Sequence, residues 1–538
     1  MSAVGIDIGG TFTDVVVAGP DGVRTLKVSS TPDPADGFIT ALDRAGVVGE
    51  VRHGTTVATN AVIERRGARL GFCSTEGFRH ILHLARQDRP AMYDQRAARA
   101  LPLVDLDLCV AIPERTGPHG EIIRPLDAEE TAARLRALRG RVEALVVVLL
   151  HSYANPTHER EVAAIAASEL PGVAVSLSVD VLPEFREYER ASTTALNAFV
   201  QPAMGSYLGR VSEGAGAASV SVMWSGGGVR GVAETVARPV NTLLSGPAAG
   251  VLGAIETARR AGFTDIVTLD MGGTSADVSL VSGARPDVRA GGALDGLPFS
   301  TPCLDIVSVG AGGGSIAWLD EGGALRVGPR SAGANPGPAC YGRGGTRATV
   351  TDAAVCAGLV SGPLAGGELE LDEQAAIEAV ERLGDEAGLY VQEAASGILR
   401  VVETTMARAI RSVSVERGVD VRRFALVAFG GAGPTHAVDV ARELGMSTVV
   451  VPPVPGNLAA LGLLVAPRRA DVSRTRPTSI LQPTYIREAL SALGEDAAEQ
   501  LRSEGAQPAA VERSVDCRYV GQSHELRVPV GDDVTGVR

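Results

Sequence analysis

Two octets hold the residues whose types and spacing could do chemistry: DIGGTFTD from Asp7 to Asp14, and DMGGTSAD from Asp270 to Asp277. Set at an offset of 263 residues they match at Asp7/Asp270, Gly9/Gly272, Gly10/Gly273, Thr11/Thr274 and Asp14/Asp277. A glycine pair at a strand end lets backbone N–H groups approach an anion, because no Cβ intervenes and φ can be positive. Thr11, Thr13, Thr274 and Ser275 add hydroxyl donors. One such loop is most often only a hairpin turn. A repeated one, with a carboxylate at each strand end, suits a phosphate chain and its divalent cation, since Mg²⁺ keeps most of its waters and needs only one or two protein carboxylates. Asp7 and Asp270 are therefore the expected metal residues, and with Thr11 the expected catalytic ones. A third loop, FGGAGP from Phe429, ends a strand before a helix; Gly430, Gly431, Gly433 and Pro434 can lie against a purine or ribose.

Other polar residues admit two roles each. HGTTVATNAVIERRG places His53, Thr55, Thr56 and Asn60 where a strand meets a helix, as caps or as groups that orient an amide. Asp305, before VSVGAGGGS, and Asp352, in TVTDA, are turn-capping residues or contacts to substrate or cation. Glu184, Glu187, Glu189 and Arg190 read as a charged helix face with pairing at i,i+3 and i,i+4. Eight histidines without HxH or HExxH spacing give no zinc signature. Six scattered cysteines, none in CxxC, read as reduced and mostly buried.

The elements that must position these groups follow from apolar periodicity. Val4 to Ala18 reads as strands broken by the glycine pair, and GPDG at Gly19–Gly22 turns the chain into VRTLKVSS. VEALVVVLL is a buried strand, and NPTHEREVAAIAASEL a helix with Asn155 as N-cap and Pro156 at its first position. NTLLSGPAAGVLGAIETARRAG is a small-residue helix leading into the strand of the second glycine loop. Residues 283–346 are rich in Gly and Pro and read as an inserted β subdomain. Helices are expected over Asp372–Leu383 and Val391–Glu416, and from near Thr435. The boundaries expected are 1–190, 191–282, 283–346, 347–470 and 471–538, within an α/β fold.

At 538 residues the chain exceeds one core. The net charge of −13, without any run of Lys or Arg, disfavours nucleic acid and anionic membranes. The apolar runs are about half of the roughly 20 residues that span a bilayer, and no signal peptide opens the chain, so a cytoplasmic location is expected.

Two Asp-x-Gly-Gly-Thr hairpins followed by Gly-Gly-x-Gly resemble the phosphate and adenosine motifs of the actin, sugar-kinase and heat-shock ATPase fold. Together with HGTTVATNAVIERRG, LLSGPAAGVLGA, VGAGGGSIAW, SAGANPGPACYGRGG and TVTDA, they resemble the ATP-dependent hydantoinase/5-oxoprolinase family in its N-methylhydantoinase A-like branch, collinearly from Val4 to about Leu526. The resemblance implies a two-domain actin-like ATPase of duplicated ribonuclease H-like domains, with ATP and Mg²⁺ as cofactors. It implies a role for the His53 loop near the γ-phosphate and a hydantoinase B-like partner in a hetero-oligomer. It also implies a longer C-terminal piece than residues 471–538 supply. The expected reaction is transfer of the γ-phosphoryl group to the carbonyl oxygen of a cyclic amide or imide, which drives ring opening. Alternatives are one component of an ATP-dependent ketone carboxylase, a small-molecule kinase, and an ATPase that acts only as a conformational switch.

Overall fold

The computed structural model describes residues 2–9, 12–20, 22–46, 49–89, 91–94, 96–364, 367 and 369–531. Ser2–Ile8 pairs antiparallel with Phe12–Gly19, which pairs antiparallel with Gly22–Ser29, and the Gly19–Gly22 turn sets that second register. Val4, Ile6, Val15, Val16 and Val17 are all buried, because this ribbon is covered on both faces. On its other side Ser2–Ile8 runs parallel to Gly49–Gly54, and Ser219–Met223 and Val229–Gly231 complete a six-stranded sheet.

The second six-stranded sheet repeats the arrangement over five of its strands. Ile266–Met271 pairs antiparallel with Ala276–Ser282 and parallel with Ala425–Phe429, and Ile306–Val309 takes the place of Gly22–Ser29. Register is kept residue for residue: Asp7 faces Asp14 and Asp270 faces Asp277. The turns match as well, with Gly9 N–H donating to Phe12 O and Gly272 N–H to Ser275 O, both at 3.0 Å.

Helices Ser245–Arg260 and Leu458–Val465 cross between the two sheets. Their small residues permit close approach: a Cβ on Gly462 would lie 1.8 Å from Ala249 O, and one on Gly253 2.5 Å from Leu458 O. These helices and the inner sheet faces form one core; the outer face of the second sheet packs under Val350–Cys356, Val391–Val413 and Gly433–Leu444 in another. The largest core joins the outer face of the first sheet, the 29-residue helix Glu187–Ala215, and a parallel four-stranded sheet in the order Ala174–Leu177, Ala144–Val148, Leu70–Thr75, Cys109–Ile112.

Several expectations are corrected. The Gly/Pro-rich stretch 283–346 has no core of its own: Phe299 belongs to the first core, Leu304 to the middle one and Ala317 to the last. Its strand Ile306–Val309 completes the second sheet, because Ala276–Ser282 needs a partner on that edge. Arg190 is not on a charged face but 1% exposed, since Glu187–Ala215 is enclosed through most of its first half. The helix after Asn155 starts at Thr157, whose N–H Asn155 Oδ1 accepts at 3.1 Å, and the helix after the third glycine loop starts at Gly433.

Candidate functional site

Each six-stranded sheet presents a row of four side-by-side positions. In the first, Gly54, Asp7, Asp14 and Lys27 stand in register; in the second, Phe429, Asp270, Asp277 and Ser308. The rows lie near each other, for the charges of Asp7 and Asp14 act on Asp270. Burial first, then the neighbouring Asp14 carboxylate, pushes Asp7 up to about 7, and Lys27 partly offsets this. Asp270 has no such relief: burial, Asp277, Asp7 and Asp14 together push it up to about 8. Lys27 ion-pairs with Asp14, and Asn457 Nδ2 donates to Asp14 Oδ1 at 3.2 Å, tying the chain after the second sheet to the first.

Glycine is required around both lead carboxylates. A Cβ on Gly54 would stand 2.4 Å from Asp7 Oδ1, and one on Gly430 2.4 Å from Asp270 Oδ1; Gly430 also holds φ +81°. The third glycine loop thus packs on the second carboxylate row, with Ala432 N–H donating to Met271 O at 2.9 Å. Gly431 is exposed beside it, Pro434 half-buried, and Gly433 buried as the first residue of its helix.

Beneath the second turn lies GAGGGS. Gly313 N–H donates to Gly272 O at 3.0 Å and Gly314 N–H to Gly273 O at 2.7 Å, while a Cβ on Gly312 would strike Thr274 N at 2.4 Å. Gly273 and Thr274 are exposed, and Gly272 and Ser275 half-buried, so this turn offers its N–H and hydroxyl groups outward. In the first turn Gly9 is half-buried and Ser30 Oγ holds its carbonyl at 2.7 Å; Gly10 and Thr11 lie outside the described residues. Thr13, expected as a phosphate donor, is fully buried with its hydroxyl 3.4 Å from Ser30 Oγ, so it supports the turn from below.

Four expected substrate contacts have other duties. His53 is 0% exposed, packed edge-on to Phe38; with Ile6 O at 3.0 Å from Nδ1 and Tyr207 Oη at 2.6 Å from Nε2, the ring carries its proton on Nδ1 and accepts from Tyr207. Burial pushes its pKa down to about 4, so it is a neutral core histidine. Asp352, fully buried, closes a capping box with Thr349 and also accepts from Ala339 and Cys340 N–H, so its carboxylate is held by four bonds within the protein. Asp305 is buried between Arg289 and Arg417. Thr55 is buried and caps Val57 N–H at 3.2 Å. Thr56 and exposed Asn60 hydrogen-bond to each other at 3.3 Å, and Thr56 borders Gly246 in the first turn of Ser245–Arg260.

Among the described residues, neither Asp7 nor Asp270 has a side-chain hydrogen bond, and Lys27 is the only cation paired to the rows. Two hard carboxylates, held near other carboxylates and without protein donors, fit a hydrated Mg²⁺. Lys27, Ser308, Asn457 and the Gly312–Gly314 support escape a motif-level reading. Only Lys27 had a usable signal, since counting back from the Gly19–Gly22 turn sets it opposite Asp14.

Fold and site define a mixed α/β protein in which two similar sheets bring two acidic, glycine-bearing turns near each other. Two family profiles match it, Hydantoinase/oxoprolinase over residues 190–472 and Hydantoinase/oxoprolinase N-terminal region over residues 3–170. The chain belongs to the hydantoinase/oxoprolinase family. It is 36% identical to the alpha chain of caprolactamase from Pseudomonas jessenii, over 98% of this chain and 80% of that one. It is 34% identical to the acetophenone carboxylase gamma subunit of Aromatoleum aromaticum, over 98% and 78%. The crystal structure of ATP-dependent caprolactamase from Pseudomonas jessenii superposes with a TM-score of 0.87 at 35% identity, covering 99% of this chain and 81% of that chain.

Proposed function

We propose that the chain is the ATP-using component of an amidohydrolase that opens cyclic amides or imides, working with a hydantoinase B-like partner. The observation that carries this reading is the duplicated row: two Asp–Gly turns of one register, lying near each other. We take the two halves as actin-like ATPase lobes of duplicated ribonuclease H-like type.

An amide carbonyl is a poor electrophile because its nitrogen donates into it. In the reading, the carbonyl oxygen attacks the γ-phosphorus of ATP, the bond to the β-phosphate oxygen breaks, and ADP leaves. Water then adds to the activated carbon, the C–N bond breaks as nitrogen takes a proton, and a second water releases phosphate. The net change is one cyclic amide, one ATP and two waters giving one amino acid, ADP and phosphate. Gly9, Gly272, Gly273, Thr274 and Ser275 hold the phosphates, joined by Gly10 and Thr11, and Gly430, Gly431 and Pro434 border the nucleoside. Asp7 and Asp270 would hold Mg²⁺, which neutralises charge as phosphoryl transfer proceeds. The chain's own contribution is positioning.

The test is ATPase rate of the chain with its partner against hydantoin, oxoproline, caprolactam, and ketones with bicarbonate. Stimulation by a cyclic amide with release of its amino acid is expected, and Asp7→Ala or Asp270→Ala should lower turnover by about a thousandfold or more. Stimulation only by ketone with bicarbonate would replace this reading with carboxylation, which the likeness to the acetophenone carboxylase gamma subunit favours as the second choice.

A further inference from the structure

The parallel four-stranded sheet has a crevice that the nucleotide cleft does not use. Its first strand in the chain, Leu70–Thr75, is followed by Cys109–Ile112 on one side, after which the chain returns to place Ala144–Val148 on the other. Strand order therefore reverses between Leu70–Thr75 and Ala144–Val148. Open parallel sheets bind ligands at such a reversal, outside the C-terminal strand ends. A narrow crevice with about 10 Å³ of room, about one water, lies there, bounded by Ser74, Phe78, Val148, Leu150, Glu187 and Arg190.

Arg190 is the unusual wall. It is 1% exposed, its Nη2 donates to Leu149 O at 2.7 Å, its Nη1 reaches Glu184 O only at 3.5 Å, and it lies 5.4 Å over the Tyr153 ring. Among the described residues its Nε–H has no acceptor, and no carboxylate makes an ion pair with it. Glu159 acts on it only through space, because the Glu159 oxygens are taken by Leu149 N–H, Val179 N–H and the Ser178 hydroxyl. A buried guanidinium whose charge is met only through space, by Glu159 and Glu187, is costly, and here burial lowers its pKa. Glu187, one helical turn away and half-buried, is a carboxylate on the same crevice with no ion pair or hydrogen bond among the described residues.

We propose that this crevice binds a small zwitterionic amino acid, its carboxylate on Arg190 and its ammonium on Glu187. The enclosed part admits about one water-sized group, enough for one carboxylate oxygen, with the rest of the ligand at the open mouth. Opening a cyclic amide gives one carboxylate and one ammonium on one chain, so the ligand class is that of the product. The inference rests on the proposed function to that extent.

Calorimetric titration of the full chain tests it, with glutamate, β-alanine and aminohexanoate against propionate, propylamine and bicarbonate. At least one amino acid should bind about tenfold tighter than propionate and propylamine. Arg190→Gln should remove that binding by about tenfold or more with ATP affinity unchanged. Glu187→Gln should bring amino-acid affinity down to that of propionate and leave propionate unaffected. Should Arg190→Gln not fold, the Glu187→Gln comparison decides. No saturable amino-acid binding, equal binding by wild type and Glu187→Gln, or equally tight propionate or bicarbonate would overturn the proposal. Cyclic-amide turnover without amino-acid binding sinks this site and leaves the hydrolase reading; binding without turnover does the reverse.

Discussion

His53 shows how one residue's role turns on pairing that no local pattern reveals. Beside two threonines and an asparagine it reads as a polar group at a strand end, yet the parallel register opposite Ile6 places it in the first core against Phe38 and Tyr207. Its folded pKa, about 4, lies below the 6.5 of a free imidazole. Between those values the unfolded chain binds the extra proton, so stability is full above pH 6.5 and falls as pH drops toward 4. The loss amounts to about 3 kcal/mol. Urea midpoints across that range should decline in the wild type and decline less steeply in His53→Gln; equal slopes would place the titration elsewhere. Asp352 teaches the converse. Its capping box is written in Thr349-x-x-Asp352, where the sequence offered a turn cap or a ligand contact, but its further bonds to Ala339 and Cys340 come from a loop that only tertiary structure brings near.

At the scale of elements, the two glycine hairpins were readable because a repeat at fixed offset carries its own register, and the structure keeps it. The support beneath them was not. GAGGGS reads as a flexible run until Gly313 and Gly314 are seen to hold the carbonyls of Gly272 and Gly273. The small residues of Ser245–Arg260 likewise lack meaning without their partner, Leu458–Val465, which lies about two hundred residues on and crosses at van der Waals limit. Overpacking that crossing must move backbone. Gly462→Ala is therefore expected to cost about 2–4 kcal/mol in urea unfolding, the upper range for an added methyl group. Gly209→Ala, in the interior of Glu187–Ala215 with open space at its Cβ, should instead stabilise by about 0.5–1 kcal/mol. If both changes cost the same, close approach is not what Gly462 provides.

Over the whole molecule the two sheets match in five of their six strands and are unequal in charge. The first row sets Lys27 against two carboxylates, while the second sets Ser308, so four carboxylates lie near one another with one ammonium among them in the described residues. The halves are held by the crossing helices, by Asn457 on Asp14, and by Asp295 of the Gly-rich stretch on Arg65 at 2.7 Å. The last is half-exposed and worth at most about 1 kcal/mol. In the ligand-free protein Asp7 and Asp270, pushed up to about 7 and about 8, take up protons near neutral pH at a cost to stability, and a divalent cation that enters should displace those protons and relieve that cost. Binding to the folded state alone raises the melting temperature with the logarithm of ligand concentration. Millimolar MgCl₂ should therefore raise it well beyond NaCl of equal ionic strength, and chelation should reverse the rise. Asp270→Asn removes the carboxylate that carries no compensating cation. It should stabilise the metal-free protein by about 1–2 kcal/mol, flatten the Mg²⁺ response, and abolish ATP turnover. Equal effects of MgCl₂ and NaCl on wild type would mean that the rows take no specific cation, and a destabilised Asp270→Asn would mean that Asp270 carries no such cost.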